Sequence, residues 1–423
     1  MIVFLFKGLI RDRSRSFMPL ITVIAGVMLT VLMYSWVKGA ETEIIQASAN
    51  FSTGHVKVMS RAYAQNEDQI PNDLAYIGID KLMASLRHEF PQLIWTPRIR
   101  FGGLLDIPDE YGETKMQGPV AGLAVALLSS ESPEKEILNL DEALIRGRLP
   151  ERSGEILISE TFAQRLGVDV GETATLVSST MYGSMTTYNF VVAGTVRFGI
   201  SAMDRGAMLL DIADAQYALD MDDAAGEILG YFNDFVYRDK QAQDIAQSFN
   251  AQYSSDDEFS PFMVALRDQG GLAQTLDMAS SVSTVVIAIF VVVMSIVLWN
   301  AGLMGSLRRY GEIGVRLAIG EEKGHIYRTL IIEALMIGVI GSCIGTALGI
   351  AISYYLQIQG LDISAMLKNA SMIISDVMRA QVTPTSYIIG FVPGLLATFL
   401  GTVISGLGIY KRQTSQLAKE FEA

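Results

Sequence analysis

The chain has 423 residues, half of them hydrophobic and 18% charged, with a formal net charge of −13 and a single cysteine. Soluble domains average about 25% charged residues, so part of this chain belongs in lipid. The acidic balance argues against nucleic acid as a partner, and the lone Cys343 excludes an intrachain disulfide.

In chain order, residues 1–16 open with Ile2–Arg11, an apolar-faced helix with a basic tail that suits the inner membrane surface or, equally, a continuation of the first span. Four later stretches reach the length of about 20 apolar residues that a membrane span needs. They are Phe17–Val37, Val282–Leu303, Leu330–Leu356 and Thr385–Tyr410. Transmembrane helices are therefore predicted over 17–38, 278–304, 329–356 and 385–410. The first is read as an uncleaved anchor, because its apolar run is too long for a signal peptide and the small-residue triplet Ala47-Ser-Ala49 lies well beyond it. Lys7, Arg11, Arg13, Arg15, Arg308, Arg309, Lys411 and Arg412 flank the spans, while nearly all the acid lies between Glu41 and Asp277. The excess of basic residues in short flanking segments marks the cytoplasmic side. It puts both termini, the 305–328 connection and the 411–423 tail inside, and 39–277 and 357–384 outside.

The large segment 39–277 reads as mixed α and β. Strands are expected at His55–Met59, Glu155–Ser159, Ala174–Ser178, Tyr188–Val196 and Ala207–Leu210, with alternation again over Tyr231–Arg238. Ser159 or Glu160 can open a helix through Leu166 that Gly167 stops, Asp211 can cap Ile212–Leu219, and Ala242–Tyr253 has helical spacing. Two halves are expected to meet near residues 110–150. The spacing over 262–278 predicts a helical stalk running into the second span, with Gly270-Gly271 as a hinge. The predicted fold is thus a four-span α-helical membrane protein with an inserted α+β extracytoplasmic domain.

Within the spans, Gly341, Gly345 and Gly349 recur every fourth residue, as do Gly390 and Gly394. Such stripes let helix backbones approach closely, either within this chain or against a second subunit. Met28, Met33, Trp36, Phe290 and Met294 are candidates to line a cavity for acyl chains.

The 305–328 connection contains Ser306-Leu-Arg-Arg-Tyr-Gly-Glu-Ile-Gly-Val-Arg-Leu-Ala-Ile-Gly320. It reads as a short helix with Ile313, Leu317 and Ala318 on one side, ended by Gly320. An apolar stripe on a polar cytoplasmic helix suits a groove of a soluble partner, or the lipid headgroups.

This segment resembles the FtsX/MacB-like ABC permeases, which place R-x-x-E-I-G-x-x-x-A-x-G between their second and third spans. Arg309, Glu312, Ile313, Gly314, Ala318 and Gly320 stand in that order, and Glu333 matches a family glutamate opening the next span. Farther out, Arg146-Gly-Arg148, Gly154–Glu160, Ala163-x-x-Leu-Gly167 and Val170-Gly171 are similar to the outer domains of MacB and of the lipoprotein-releasing LolC/LolE permeases. Gly54-His55 and Arg61-Ala-Tyr63 are similar to the latter group. The resemblance implies an FtsX-like membrane domain carrying a MacB-like outer domain in the bacterial inner membrane. It implies a coupling helix whose docking residues are Arg309, Gly311, Glu312, Ile313, Gly314, Arg316, Leu317, Ala318 and Gly320. The implied partners are two copies of an ABC ATPase, a second permease subunit (identical or paralogous), membrane lipid, a lipoprotein or other lipid-anchored cargo, and a periplasmic carrier or adaptor.

No G-x-x-x-x-G-K-[ST] phosphate loop occurs in the sequence, so ATP and magnesium are expected on a separate ATPase chain and no cofactor on this one. No Cys/His or H-E-x-x-H spacing suggests a metal site, and no catalytic constellation is apparent; a non-catalytic subunit is expected. Where LolC-like permeases carry a long carrier-capturing hairpin, Ser178–Thr187 is short and lacks proline.

Overall fold

A computed structural model of the chain describes residues 13–129, 132–199, 201–253, 257–307, 310–363 and 377–411. It divides into a helical unit, Met1–Thr42, Met278–Leu361 and Met378–Ala423, and a sheet unit, Glu43–Asp277 and Asp362–Val377. Among the described residues, four helices are long and apolar enough to cross a membrane, over Phe17–Thr53, Leu272–Asn300, Lys323–Gln359 and Ser386–Leu407. Of the expected interfacial segment, residues 1–12 lie outside the described residues, and 13–16 belong to the first long helix, Arg13–Ser48.

The glycine stripes pack inside the chain. Val23, Val27 and Val31 form a ridge on the first span, each fully buried. Side chains built on Gly341, Gly345 and Gly349 of the third span would collide with Val23, Val27 and Val31 in turn, and those on Gly390 and Gly394 of the fourth would meet Val27. A ridge of branched side chains thus fills a groove of small residues, where only close van der Waals fit can hold helices together in lipid. Gly345→Leu is the sharpest test, since its Cβ would start 2.7 Å from the Ile24 carbonyl oxygen and 2.9 Å from Val27 Cβ. It is expected to cost about 3 kcal/mol by overpacking, read as a lowered melting temperature of the full chain in detergent. Ile344→Leu, at a position 41% exposed, should leave that temperature unchanged.

The second span contributes less to this core: 6% of its most apolar window is buried, against 33%, 39% and 39% for the other three. It touches the bundle through Leu298 and Met294 over Gly26, and through the Trp299 backbone over Gly401.

Over Glu43–Asp277 the described residues of the sheet unit form twelve strands: β1 Val56–Ser60, β2 Tyr76–Ile77, β3 Leu93–Pro108, β4 Thr114–Val125, β5 Leu144–Gly147, β6 Glu155–Ser159, β7 Thr173–Ser179, β8 Met185–Val196, β9 Ala207–Asp211, β10 Ala224–Ala225, β11 Glu227–Phe232 and β12 Pro261–Ala265. Ten of them join one sheet in the order β12-β1-β11-β3-β4-β9-β6-β8-β5, with β7 pairing β3 and β8. Local chemistry sets the connections as expected. The Ser159 hydroxyl accepts from the Phe162 N–H at 3.2 Å, and Gly167 ends that helix with φ +62°. The Asp211 carboxylate accepts from the Ala213 N–H at 3.0 Å.

The two halves do not meet near 110–150. They share β3: Leu93–Arg98 pair with β11, and Ile99–Pro108 pair with β4. The second half is therefore an insertion into the first, and the boundary lies inside one continuous 16-residue strand. A strand that long outreaches either half-sheet, so it can belong to both.

The expected helical stalk over 262–278 is also corrected. Pro261–Ala265 is an edge strand pairing antiparallel with β1, its side chains alternating buried and half-buried. Gly270 and Gly271 adopt φ +50° and +74°, which stops any helix crossing them, and the long helix begins only at Leu272. At Tyr231–Arg238 the strand ends at Phe232, where Phe235 (φ +53°) turns the chain. Ser178–Thr187 is a plain hairpin, closed by Thr180 and Ser184 around Gly183.

Candidate functional site

The connecting helix runs over Tyr310–Ala318. Arg309 lies outside the described residues. Gly311 and Glu312 fall in its first turn, where the helix path alone is described. Ile313 is 2% exposed and packs with Ile326 and Leu330, at the start of the third span, with Leu317 against the same cluster. Gly314 is buried with it. The apolar side expected to reach a partner is thus turned into the chain's own packing. Helical periodicity separates the stripes but does not say which one a neighbouring helix will cover.

The open side is different. Val315 is 56% exposed and Ile319 is 79% exposed, with Ala318 and Gly320 exposed between and beyond them. Two exposed β-branched residues four apart form an apolar patch that none of the described residues covers. Behind it, Arg316 makes a two-pronged bond to Glu321, both at 2.6 Å. That pairing holds the Glu321 carboxyl below the usual carboxylate range. Gly320, at φ +96°, reverses the chain so that the Glu321 N–H caps the Arg316 carbonyl at 3.1 Å. Helix, turn and third span are therefore locked as one piece. Glu333 is half-buried farther along that span, spaced to share a helix face with Ile326, Leu330 and Ile337.

Met28, Met33, Trp36, Phe290 and Met294 are each half-buried. Met294 is taken up by the crossing over Gly26, a packing role.

A group of charges that sequence reasoning passed over lies inside the sheet unit. Arg98 is 1% exposed and Glu134 is fully buried. Arg98 bonds both oxygens of Glu134 at 2.9 and 2.8 Å, donates to Tyr231 Oη at 3.2 Å, and donates to the Asn50 carbonyl at 2.7 Å. Tyr231 in turn donates to the Ala49 carbonyl at 2.9 Å. Those two carbonyls belong to a five-residue π-helical turn, Ala49–Thr53, closed by the Gly54 N–H, which also donates to the Ala49 carbonyl at 2.9 Å. Beside it, fully buried Lys57 contacts Glu67 at 2.6 Å and Glu227 at 3.4 Å, and Arg100 bonds Glu227. Burial alone would push the Glu227 carboxyl up, but Lys57 and Arg100 outweigh it and hold it low. The available signal was charge in apolar strands: Lys57 between two valines, Arg98 and Arg100 around Ile99, and Glu227 before Ile-Leu.

His55 is fully buried among Tyr231, Phe232 and Tyr237, and its Nδ1 accepts the Phe232 N–H at 3.0 Å. Burial is the main cause that lowers its pKa to about 4; Asp234 opposes this and Arg238 adds to it. Because the folded value lies below the free value of about 6.5, the unfolded chain binds more protons in between. Roughly 3 kcal/mol of stability, fully present above pH 6.5, should be lost as the pH falls toward about 4. Sheet-unit melting curves across that range should show the slope, and His55→Asn should flatten it.

Two family models match the chain. The MacB-like periplasmic core domain matches residues 16–252, and the FtsX-like permease C-terminal domain matches residues 284–414. Among curated proteins, the lipoprotein-releasing system transmembrane protein LolC of Xylella fastidiosa (strain 9a5c) is 24% identical over 207 residues, covering 48% of each chain. The macrolide export ATP-binding/permease protein MacB of Psychrobacter cryohalolentis is 26% identical over 142 residues, which is 33% of this chain and 21% of that protein. MacB of Neisseria meningitidis serogroup A is 39% identical over 82 residues, 18% of this chain and 13% of that protein. The alignments thus span about half the length of these relatives or less. The solved periplasmic region of MacB from Actinobacillus actinomycetemcomitans covers 54% of this chain and 95% of its own, with a TM-score of 0.37 and 11% identity.

Proposed function

The chain belongs to the family of FtsX-like permeases that carry a MacB-like periplasmic core domain, and from that premise we propose that it is the membrane subunit of an ABC transporter, driven by a separate ATPase, that extracts lipid-anchored proteins from the bacterial inner membrane. The exposed patch Val315–Ile319, on a helix locked to the third span, carries this reading. A soluble ATPase seated on that patch pushes the connecting helix when ATP closes it. Ile313 and Leu317 hand the displacement to Ile326 and Leu330, and the third span passes it to the valine ridge of the first. Arg316 and Glu321 keep the turn from absorbing the movement.

ATP and magnesium are held by the partner; this chain contributes the lever. Both termini and the connecting helix face the cytoplasm and the sheet unit faces the periplasm, as the flanking basic residues require. A second permease subunit completes the complex. Lipid-anchored cargo is preferred because LolC of Xylella, a lipoprotein-releasing protein by name, aligns over more of this chain than the MacB proteins do. The short Ser179–Met185 turn offers no long arm for a carrier, so release here relies on another surface of the sheet unit.

The test is reconstitution. The tagged chain is purified from native membranes with its associated subunits, placed in liposomes, and supplied with a labelled lipoprotein and a soluble acceptor. ATP-dependent transfer to the acceptor supports the proposal. ATP-dependent export of small molecules or peptides without transfer reassigns it to efflux, and hydrolase binding without transport to signalling. Purification without any ATPase overturns it.

A further inference from the structure

Along its second half β3 has strands on both sides, but among the described residues Leu93–Arg98 pair only with β11. The phase of that ladder follows from one bond: the Asn233 N–H donates to the Gln92 carbonyl at 3.3 Å. With Leu93 opposite Phe232, Gln92 and Asn233 are a hydrogen-bonded pair. Antiparallel pairs alternate, so Ile94, Thr96 and Arg98 bond to β11, while Leu93, Trp95 and Pro97 turn their main-chain groups to the other edge. The Leu93 N–H is taken by the Phe90 carbonyl at 3.1 Å, and Pro97 has none. The edge therefore presents three carbonyls and the Trp95 N–H. A proline is tolerated here because its missing donor faces no ladder.

A cleft of about 480 Å³ opens at this edge, lined by Arg87, Trp95, Pro97, Ala126 and Pro133 among others. Trp95 is 3% exposed, yet its indole N–H has no hydrogen-bond partner among the described residues. A buried donor left unpaired is destabilising, and a bound acceptor would recover that cost. Arg87 is exposed and has no ion-pair partner among the described residues.

We propose that this edge is a strand-addition site for an extended peptide segment of a partner protein, carrying an acidic side chain that pairs with Arg87. An extended peptide supplies alternating N–H and C=O groups at the spacing of a neighbouring strand, about 4.8 Å away. One of its oxygens accepts from the Trp95 indole. The proline-rich walls leave room for side chains without competing for the main chain. An apolar small molecule would leave the carbonyls, the indole N–H and Arg87 unanswered. The site does not depend on the transport reading and would stand if that reading failed.

The probe is a phage-displayed library of random heptapeptides, panned on the full chain in nanodiscs. The most enriched peptide is then synthesised with each amide N-methylated in turn. The site predicts that enriched sequences carry Asp or Glu. Methylation at every second amide should weaken binding about tenfold, with no effect at those between. Arg87→Glu should weaken binding about tenfold and Trp95→Phe about threefold, with Arg87→Glu melting as the unaltered chain does. The proposal is overturned by no enrichment over empty nanodiscs, by a methylation profile without a two-residue period, or by affinities that both substitutions leave unchanged.

Discussion

Replacing Glu134 by alanine is expected to destabilise the sheet unit by about 3–5 kcal/mol, because it strands a fully buried guanidinium without its counter-charge. Arg98 would keep only the Tyr231 hydroxyl and the Asn50 carbonyl as partners, and Thr96, which donates to Glu134 at 2.8 Å, would lose its acceptor as well. The size of the effect reflects the cost of an uncompensated charge, not the worth of the pair. Removing both charges with Arg98→Met and Glu134→Leu together should therefore stay within about 2 kcal/mol of the unaltered chain. The double variant also frees the Asn50 carbonyl, so hydrogen exchange should rise over the Ala49–Thr53 turn even where global stability is kept. Denaturant unfolding of the full chain in nanodiscs, followed by near-ultraviolet circular dichroism, measures the first comparison. A single variant that unfolds at the same midpoint as the unaltered chain would contradict it.

The second expectation separates two isoleucines six residues apart, one inside the short helix and one in the turn that ends it. Ile319→Asp should leave the chain folded, since the side chain is 79% exposed, yet abolish assembly with the ATPase. Losing a buried isoleucine at an interface costs about 2–3 kcal/mol and burying a carboxylate costs more, so affinity should fall by at least about 100-fold. Ile313→Asp should fail for another reason. It puts a carboxylate against Ile326 and Leu330, which costs about 4 kcal/mol of local packing and loosens the connecting helix itself. Subunit binding together with limited proteolysis of the 305–328 connection distinguishes the two. Ile319→Asp should be uncleaved and unbound, and Ile313→Asp cleaved. Full assembly of the Ile319→Asp chain would remove the docking patch from the proposal.

The same pair of residues shows how far the sequence could be read. Both are apolar, and the motif placed the helix, its Gly320 stop and its position between spans. Only the third span, folding back at Ile326 and Leu330, determined that Ile313 is inside and Ile319 is out. The glycine stripes behave alike: their spacing announced close packing, but the partner came from the register of Val23, Val27 and Val31 in a distant segment. At Pro261–Ala265 five residues were too few to tell strand from helix, and β1 arbitrated.

What the sequence determined by itself is whatever the chain settles with its nearest neighbours or with the solvent. Long apolar runs have no stable place in water, so the four helices long enough to span were readable directly. Ser159 and Asp211 cap helices a few residues away, and Gly167 stops one on the spot. The tertiary structure decided everything that depends on which segment arrives next to which. It made β3 common to two half-sheets, buried Arg98 with Glu134, and left one edge at Trp95 and one face at Ile319 uncovered by the described residues. The physical reason is that burial and pairing are properties of contacts between distant segments, and a residue's own chemistry states what it needs without naming what will supply it.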